Sequence, residues 1–197
     1  MLTFMDYLLE HSRTEESDES DESDMHVATA QDVLHYGRQT RNSYLLAPGD
    51  IFYTKKGELD VLHRENGPAV ISPGNYALYY TDGKPNKQGA SAIYSEGNGE
   101  FNDNGVRRYV KLSDNDIWKA LEEDVRCAMV IKTLTPKMQE FVVHEDPSLI
   151  EYIQDPSAEV QEYVCQHRPD LVGKIKNLDP GLKAKYQHEE ELGRTDL

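Results

Sequence analysis

A 22-residue repeat in the C-terminal half of the chain places the strongest constraint on how it can fold. The sequence MQEFVV at 138–143 aligns with VQEYVC at 160–165, and residues 147–153 align with 169–175 at the same offset. Each unit offers two helical segments of about eight residues, which are too short to be stable alone. Their apolar side chains must therefore be buried against neighbouring units. The repeat predicts an array of short antiparallel helices over residues 113–190.

Prolines mark where these helices are expected to begin. Proline is favoured in the first helical turn, where its missing N–H needs no partner, and a preceding Asp or Thr can cap the free amides. Ser113 and Asp116 form a capping-box pattern at the first helix. The other predicted starts are Thr135-Pro136, Asp146-Pro147, Asp155-Pro156, Arg168-Pro169 and Asp179-Pro180.

Within the predicted domain at 31–112, residues 50–112 show a different pattern, in which short apolar or aromatic runs alternate with turns that contain glycine. Asn66-Gly67 and Asp82-Gly83 are typical of hairpin turns, because glycine adopts a positive φ at little steric cost. Single hairpins are marginally stable in water, so these units are expected to stack as a β-hairpin repeat domain. The predicted fold class is α+β, a repeat β-hairpin meander followed by the array of short antiparallel helices.

Negative charge is concentrated at the N-terminus. The chain has a formal net charge of −15, and residues 1–30 contribute −8 through nine acidic residues and Arg13. Residues 12–28 include the run EESDESDESD and are predicted to be disordered, since they hold too little apolar surface to offset the entropy of ordering. The preceding segment 1–10 has the spacing of a short amphipathic helix, and residues 191–197 form a predicted tail.

Composition excludes several classes of protein. The net acidity argues against direct nucleic-acid binding, which depends on neutralising phosphates with lysine and arginine. No run approaches the roughly 20 apolar residues that span a bilayer, and the N-terminus lacks the pattern of a secretory signal. We therefore expect no membrane association. Cys127 and Cys165 are too few for a disulfide scaffold and fit a reducing compartment.

Two motifs resemble repeats of bacteriophage proteins. HRENGPAVI at 63–71, followed by YALYYTDGK at 76–84, is similar to the HR-x-x-GPA…W/Y-Y-x-x-GK hairpin repeats of phage proteins of unassigned role, which loosely resemble MORN repeats. The helical units resemble the P-x-x-I-x-x-I…P-S-x-E-V-Q αα-repeats of large phage proteins and some bacterial proteins. The segment 1–10 resembles leaders that target cargo to phage proheads, and Leu8-Leu9-Glu10 fits an L-x-E protease site. The resemblance implies an architecture and a phage origin, without an activity.

The sequence contains no familiar catalytic motif. The phosphate loop, G-x-S-x-G and H-E-x-x-H patterns are all missing. His144, His167, Cys127 and Cys165 lack the close spacing that preorganises a tetrahedral metal site. We therefore expect no enzyme activity, with no catalytic residues, no cofactor and no metal.

The candidate partner-binding residues are a tyrosine pair, a charged triplet and three carboxylates of the acidic run: Tyr79, Tyr80, His63, Arg64, Glu65, Glu19, Asp21 and Glu22. Tyrosine is enriched in interface cores, and since Tyr79 and Tyr80 are adjacent, one must point out of its sheet. On a strand His63 and Glu65 would share a face, with Arg64 on the other.

These features favour a non-enzymatic phage accessory protein that binds and inhibits or redirects a host protein, such as a defence or nucleic-acid-processing enzyme, in the host cytoplasm. Negative charge would steer it towards a partner with a basic surface. The acidic run is alternatively a polyanion mimic, a solubilising spacer or a tether. Two other functions stay open: an internal protein packaged in the virion and cleaved after Glu10, and an enzyme with an unrecognised site in the β-region.

Overall fold

The strands precede the helices along the chain, as the sequence pattern predicts. The computed structural model describes residues 23–33, 46–86, 88–103 and 106–193. Its strands are β1 (Ser23–Val27), β2 (Ile51–Lys55), β3 (Glu58–Leu62), β4 (Val70–Ser72), β5 (Tyr76–Leu78), β6 (Tyr80–Thr81), β7 (Lys84–Pro85), β8 (Gln88–Tyr94), β9 (Asn98–Asp103) and β10 (Val106–Lys111). An antiparallel meander with several helices after it confirms the α+β class.

Eight of the strands form one antiparallel sheet. Seven of them follow the order β1-β2-β4-β5-β8-β9-β10, and the eighth, β3, also pairs with β2. Strands β6 and β7 form a separate two-stranded ribbon. Asp82-Gly83 closes that ribbon as a two-residue hairpin turn, as predicted, with positive φ at both residues. The prediction for Asn66-Gly67 is wrong, because β3 and β4 both pair with β2 and not with each other.

Strand β1 corrects the prediction that all of residues 12–28 are disordered. Its five residues pair in register with β2, and the His26 ring stacks on Phe52 with 4.9 Å between ring centroids. His26 Nε2 also lies 3.0 Å from Thr54 Oγ1. The pairing comes from a strand far along the chain, so the local composition could not indicate it. The predicted helix at 1–10 lies outside the described residues.

The helical half has four α-helices separated by short 3₁₀ helices. They are α1 (Asp114–Glu123), η1 (Val125–Met129), α2 (Pro136–Glu145), η2 (Pro147–Tyr152), α3 (Ala158–His167), η3 (Pro169–Lys174) and α4 (Pro180–Gly193). The α-helices begin 22 residues apart, and so do the 3₁₀ helices. The second segment of each predicted pair is thus a 3₁₀ helix. No helix of the described part is long and apolar enough to cross a membrane.

Most of the predicted helix starts are found. Ser113 and Asp116 make a reciprocal capping box at α1, and Thr135 caps α2 with proline at its first position. Asp155-Pro156 is the exception, because Ser157 caps α3 and the helix begins at Ala158.

Two buried glutamines join consecutive helical units. The Gln139 amide donates to the Leu134 carbonyl at 3.1 Å, while its oxygen accepts the backbone N–H of Ser157, the cap of α3, at 2.8 Å. Gln161 does the same 22 residues later, because its oxygen accepts the Asp179 N–H at 2.7 Å, immediately before α4. Each glutamine therefore fixes where the next helix starts.

One hydrophobic core is shared by the sheet and the helices. Ile71 and Ile93 of the sheet belong to the same buried cluster as Leu121 of α1. The turn between β4 and β5 also donates from the Gly74 N–H to the Met129 carbonyl of η1 at 2.8 Å. The helices cover one face of the sheet, and a smaller core lies on the other face.

Candidate functional site

The charged triplet is a structural loop and not an exposed strand face. His63, Arg64 and Glu65 follow the end of β3, with His63 buried and Glu65 exposed, so the expected sharing of a face is wrong. His63 Nδ1 accepts the Asp82 backbone N–H at 3.1 Å. Lys55 donates a hydrogen bond of 2.9 Å to the Asp82 carboxylate and lowers its pKa. These contacts hold the loop against the β6–β7 ribbon.

Arg64 connects the sheet to the helices. Its guanidinium lies over the Tyr53 ring, 4.1 Å from the centroid, and donates to the Asp124 carboxylate. Arg126 approaches the same carboxylate with two nitrogens, each at 2.9 Å, and also contacts the Tyr53 hydroxyl. We call Tyr53, Arg64, Asp124 and Arg126 the Asp124 cluster. Its groups are already engaged with one another, so it is a structural joint and leaves Arg64 poorly placed for a partner.

The two adjacent tyrosines point to opposite sides of the molecule. Tyr79 is only 3% exposed and belongs to the core under the helices, so it cannot contact a partner. Tyr80 is half-buried and packs beside the smaller core on the outer face of the sheet. Of the predicted pair, Tyr80 alone stays a candidate.

Tyr80 belongs to a group of four tyrosines on that outer face. Tyr76 and Tyr94 are directly paired across β5 and β8, and Tyr109 of β10 is paired with Glu100 of β9. Residues directly opposite on antiparallel strands share a face, and alternation along β9 places these pairs on the same side. We call Tyr76, Tyr80, Tyr94 and Tyr109 the outer tyrosine patch. The sequence shows these tyrosines, but only the register groups them.

Glu100 is the charged group at the centre of the patch. It is 7% exposed, and its carboxylate accepts a hydrogen bond from Ser91 Oγ at 3.3 Å and lies 3.5 Å from Arg107 Nε. Hydrogen bonding to Glu100 raises the pKa of the Tyr109 hydroxyl, whereas burial followed by the Glu100 charge raises the pKa of Tyr94. The patch therefore presents neutral tyrosine hydroxyls above a buried carboxylate that Ser91 and Arg107 already engage.

Strand β10 borders the patch and is the most exposed strand of the sheet. All six of its residues are exposed, including Tyr109 at 70%. Arg107 and Lys111 share the tyrosine face of β10, and Val106 lies on the other face. An exposed edge with apolar and charged side chains is a template for pairing with another strand.

A concave cleft lies between the loop after β3, the sheet and α1. It is a cleft of about 240 Å³ whose lining includes Glu65, Tyr79, Lys119 and Glu123. Burial raises the pKa of Glu123, against the attraction of Lys119. The cleft brings Glu65 near Tyr79, so it is the place where an unrecognised enzyme site in the β-region would be sought.

The metal-ligand types noted in the sequence are engaged in packing. His144 and His167 each stack on the ring of Tyr163, with centroid distances of 4.1 and 4.4 Å. Cys127 and Cys165 are buried free thiols, and burial raises the pKa of both. Within the described ranges, no group of three or more His, Cys, Asp or Glu side chains could hold a metal ion. Glu19, Asp21 and Glu22 lie outside those ranges.

No family model, curated protein or solved structure matches this chain.

Proposed function

We propose that this protein is a non-enzymatic phage accessory protein that binds a host protein and inhibits or redirects it. The outer tyrosine patch carries the proposal. Tyrosine contributes large, rigid contact area with a polar tip, and buried tyrosines and arginines supply much of the binding energy of protein interfaces. Four tyrosines and Arg107 meet on one face beside an open strand. This arrangement supports binding better than it supports chemistry.

The partner we infer has a basic surface, in the host cytoplasm. The chain's net charge of −15 would steer a basic protein towards it. We also infer that the alternating α and 3₁₀ helices act as an array of short antiparallel helices. In this proposal the array is the scaffold that holds the sheet and its patch rigid.

The test is affinity capture from host cells with the wild-type chain and a double variant, Arg107→Ala with Tyr109→Ala. Both side chains are exposed, so the variant should fold normally. We expect the wild type to retain one stoichiometric host protein, and the variant to bind it at least about tenfold more weakly, as expected for an interface hot spot. Lys137→Ala with Lys183→Ala, at exposed positions of the helices, is the matched control.

Two results would contradict the proposal. One is the recovery of no stoichiometric host protein, and the other is an equal loss of binding in the Lys137→Ala, Lys183→Ala control. Deleting residues 15–22 separates the roles of the acidic run: a steering role predicts slower association and a weaker salt dependence, whereas a spacer predicts no change.

A further inference from the structure

The two ends of the eight-stranded sheet are both open. Strand β1 pairs only with β2, and β10 pairs only with β9, so within the described residues each has one unpaired side. The large hydrophobic side chains that the described part exposes all lie on these two strands: Met25, Val27, Val106, Tyr109 and Val110. Soluble proteins usually protect such edges, because an open apolar strand recruits another strand.

The two edges also carry opposite charge. Strand β10 has Arg107, Arg108 and Lys111 among its six residues. Strand β1 contains Asp24, the last residue of the acidic run EESDESDESD that begins at Glu15. Asp103 and Glu100 lie 3.6 Å and 3.5 Å from arginines of β10, but both arginine side chains stay more than 60% exposed. An acidic edge and a basic edge therefore face solvent at opposite ends of one sheet.

We propose that the chain associates with copies of itself head to tail, with β1 of one copy adding to the free side of β10 of the next. The sheet would continue from copy to copy through backbone hydrogen bonds. Met25 and Val27 would cover apolar side chains of the neighbouring β10, and Asp24 would lie against its basic residues. The two strands match in length, with five and six residues.

Charge favours this arrangement over a symmetric one. Pairing two β10 strands would bring six basic side chains together, and pairing two β1 strands would bring two acidic runs together. Like charges placed across an interface disfavour association. Head-to-tail contacts are heterologous, so each copy keeps one free β1 and one free β10, and growth into rows follows.

Two blocked variants test the pairing through complementation. Asp24→Lys with Val27→Lys blocks β1, and Arg108→Glu with Lys111→Glu blocks β10. The β1 substitutions lie at the other edge of the sheet from the outer tyrosine patch, so the β1 variant lets this test and the host-capture test fail independently. Lys137→Glu with Lys183→Glu is the control for the β10 variant, since it makes the same change of charge at exposed positions of the helices.

Light scattering after size exclusion is the measurement. We expect the mean mass of the wild type and of the control to rise with concentration beyond that of a dimer, and to fall when salt is added. Each blocked variant alone should stay monomeric with an unchanged melting temperature. An equimolar mixture of the two should give a one-to-one dimer and nothing larger, because one competent β1 and one competent β10 are left.

Three results would overturn the proposal. The wild type could stay monomeric at all concentrations, or the mixed blocked variants could stay monomeric. A blocked variant could also form dimers by itself, which would indicate symmetric pairing of the edge that it retains.

Discussion

At the scale of single residues, Asp124 is the buried charge that holds the sheet and the helices together. Its side chain is 2% exposed and accepts hydrogen bonds from Arg64 and Arg126. Burial acts to raise the pKa of Asp124, but the hydrogen bonds from Arg126 and the charge of Arg64 outweigh it and lower the pKa. The adjacent Glu123 shows the opposite balance, because burial prevails and raises its pKa. The ionised form of Asp124 therefore stabilises the fold, whereas the ionised form of Glu123 destabilises it.

We expect Asp124→Asn to lower the free energy of unfolding by roughly 3 kcal/mol at neutral pH, since breaking one side of a buried ion pair leaves the other charge uncompensated. Urea denaturation gives the value. Glu123→Gln is the matched control, because it removes a carboxylate whose ionised form is disfavoured by folding. It should leave the stability unchanged or raise it.

The same variant should change the pH dependence of stability. A lowered pKa means that ionised Asp124 stabilises the fold fully above the ordinary carboxyl pKa, and that this stabilisation is lost as the pH falls through the lowered value. Below about pH 5, the wild type should therefore lose stability more steeply than Asp124→Asn. If the two pH profiles are parallel, the pKa of Asp124 does not differ between the folded and unfolded states, and the prediction is wrong.

The tyrosine pair shows what can be known about single residues from the sequence. Strand alternation predicts that Tyr79 and Tyr80 face opposite sides, and they do. Which of them is buried depends on the side that the helices cover, and no local pattern encodes that choice. Arg64 poses the same difficulty, because its partner Asp124 is 60 residues away.

At the scale of elements, the buried glutamines determine how one helical unit follows another. Gln139 and Gln161 are each 7% exposed, and each satisfies a backbone N–H at the start of the next helix. The corresponding residue of α1 is Ile117, 22 positions before Gln139, so the first unit lacks this joint. The sequence alignment contains both glutamines, but glutamine is usually exposed, and the repeat alone does not reveal a buried role.

We expect Gln161→Leu to lower the free energy of unfolding by about 2 kcal/mol, because the Asp179 N–H and the Pro156 carbonyl lose their partner in a buried setting. Hydrogen exchange should show the loss first in α4. Gln166→Leu, at an exposed position of the same helix, should change the stability by less than about 0.5 kcal/mol. Similar effects of the two substitutions would contradict the role given to Gln161.

Elements set by adjacent residues could be predicted, and those set by distant ones could not. Asp82-Gly83 and Thr135-Pro136 carry their conformational preference within two residues, and both predictions are confirmed. Strand β1 needs β2 beside it, 24 or more residues later, and was missed. Asn66-Gly67 has the composition of a hairpin turn, but the pairing of its flanking strands with β2 overrides that preference.

At the scale of the whole molecule, the shared core predicts that the sheet and the helices unfold together. Ile71 is fully buried in β4 and belongs to the cluster that includes Leu121. Ile71→Ala should lower the free energy of unfolding by roughly 3 kcal/mol, as large-to-small changes in well-packed cores do. The only tryptophan of the chain, Trp118, lies in α1 and reports on the helical half by fluorescence.

In Ile71→Ala, we expect the urea midpoint of the Trp118 fluorescence transition to decrease. The urea midpoint of the sheet amides, followed by hydrogen exchange, should decrease by the same amount. Val172→Ala, in η3 and remote from the sheet in sequence, provides a comparison for purely helical damage. A fluorescence transition that stays at the wild-type midpoint in Ile71→Ala would show that the two halves fold separately.

The 22-residue spacing of the glutamine joints has a consequence for how such a chain can change its length. A recombination event that inserts or removes one complete unit leaves every cap paired with a glutamine, whereas a change of any other size within a unit separates the cap of that unit from its glutamine. Between α2 and α4, viable length variants of this protein should therefore differ in steps of 22 residues. Genes of unequal length would then record the number of units that each lineage has kept.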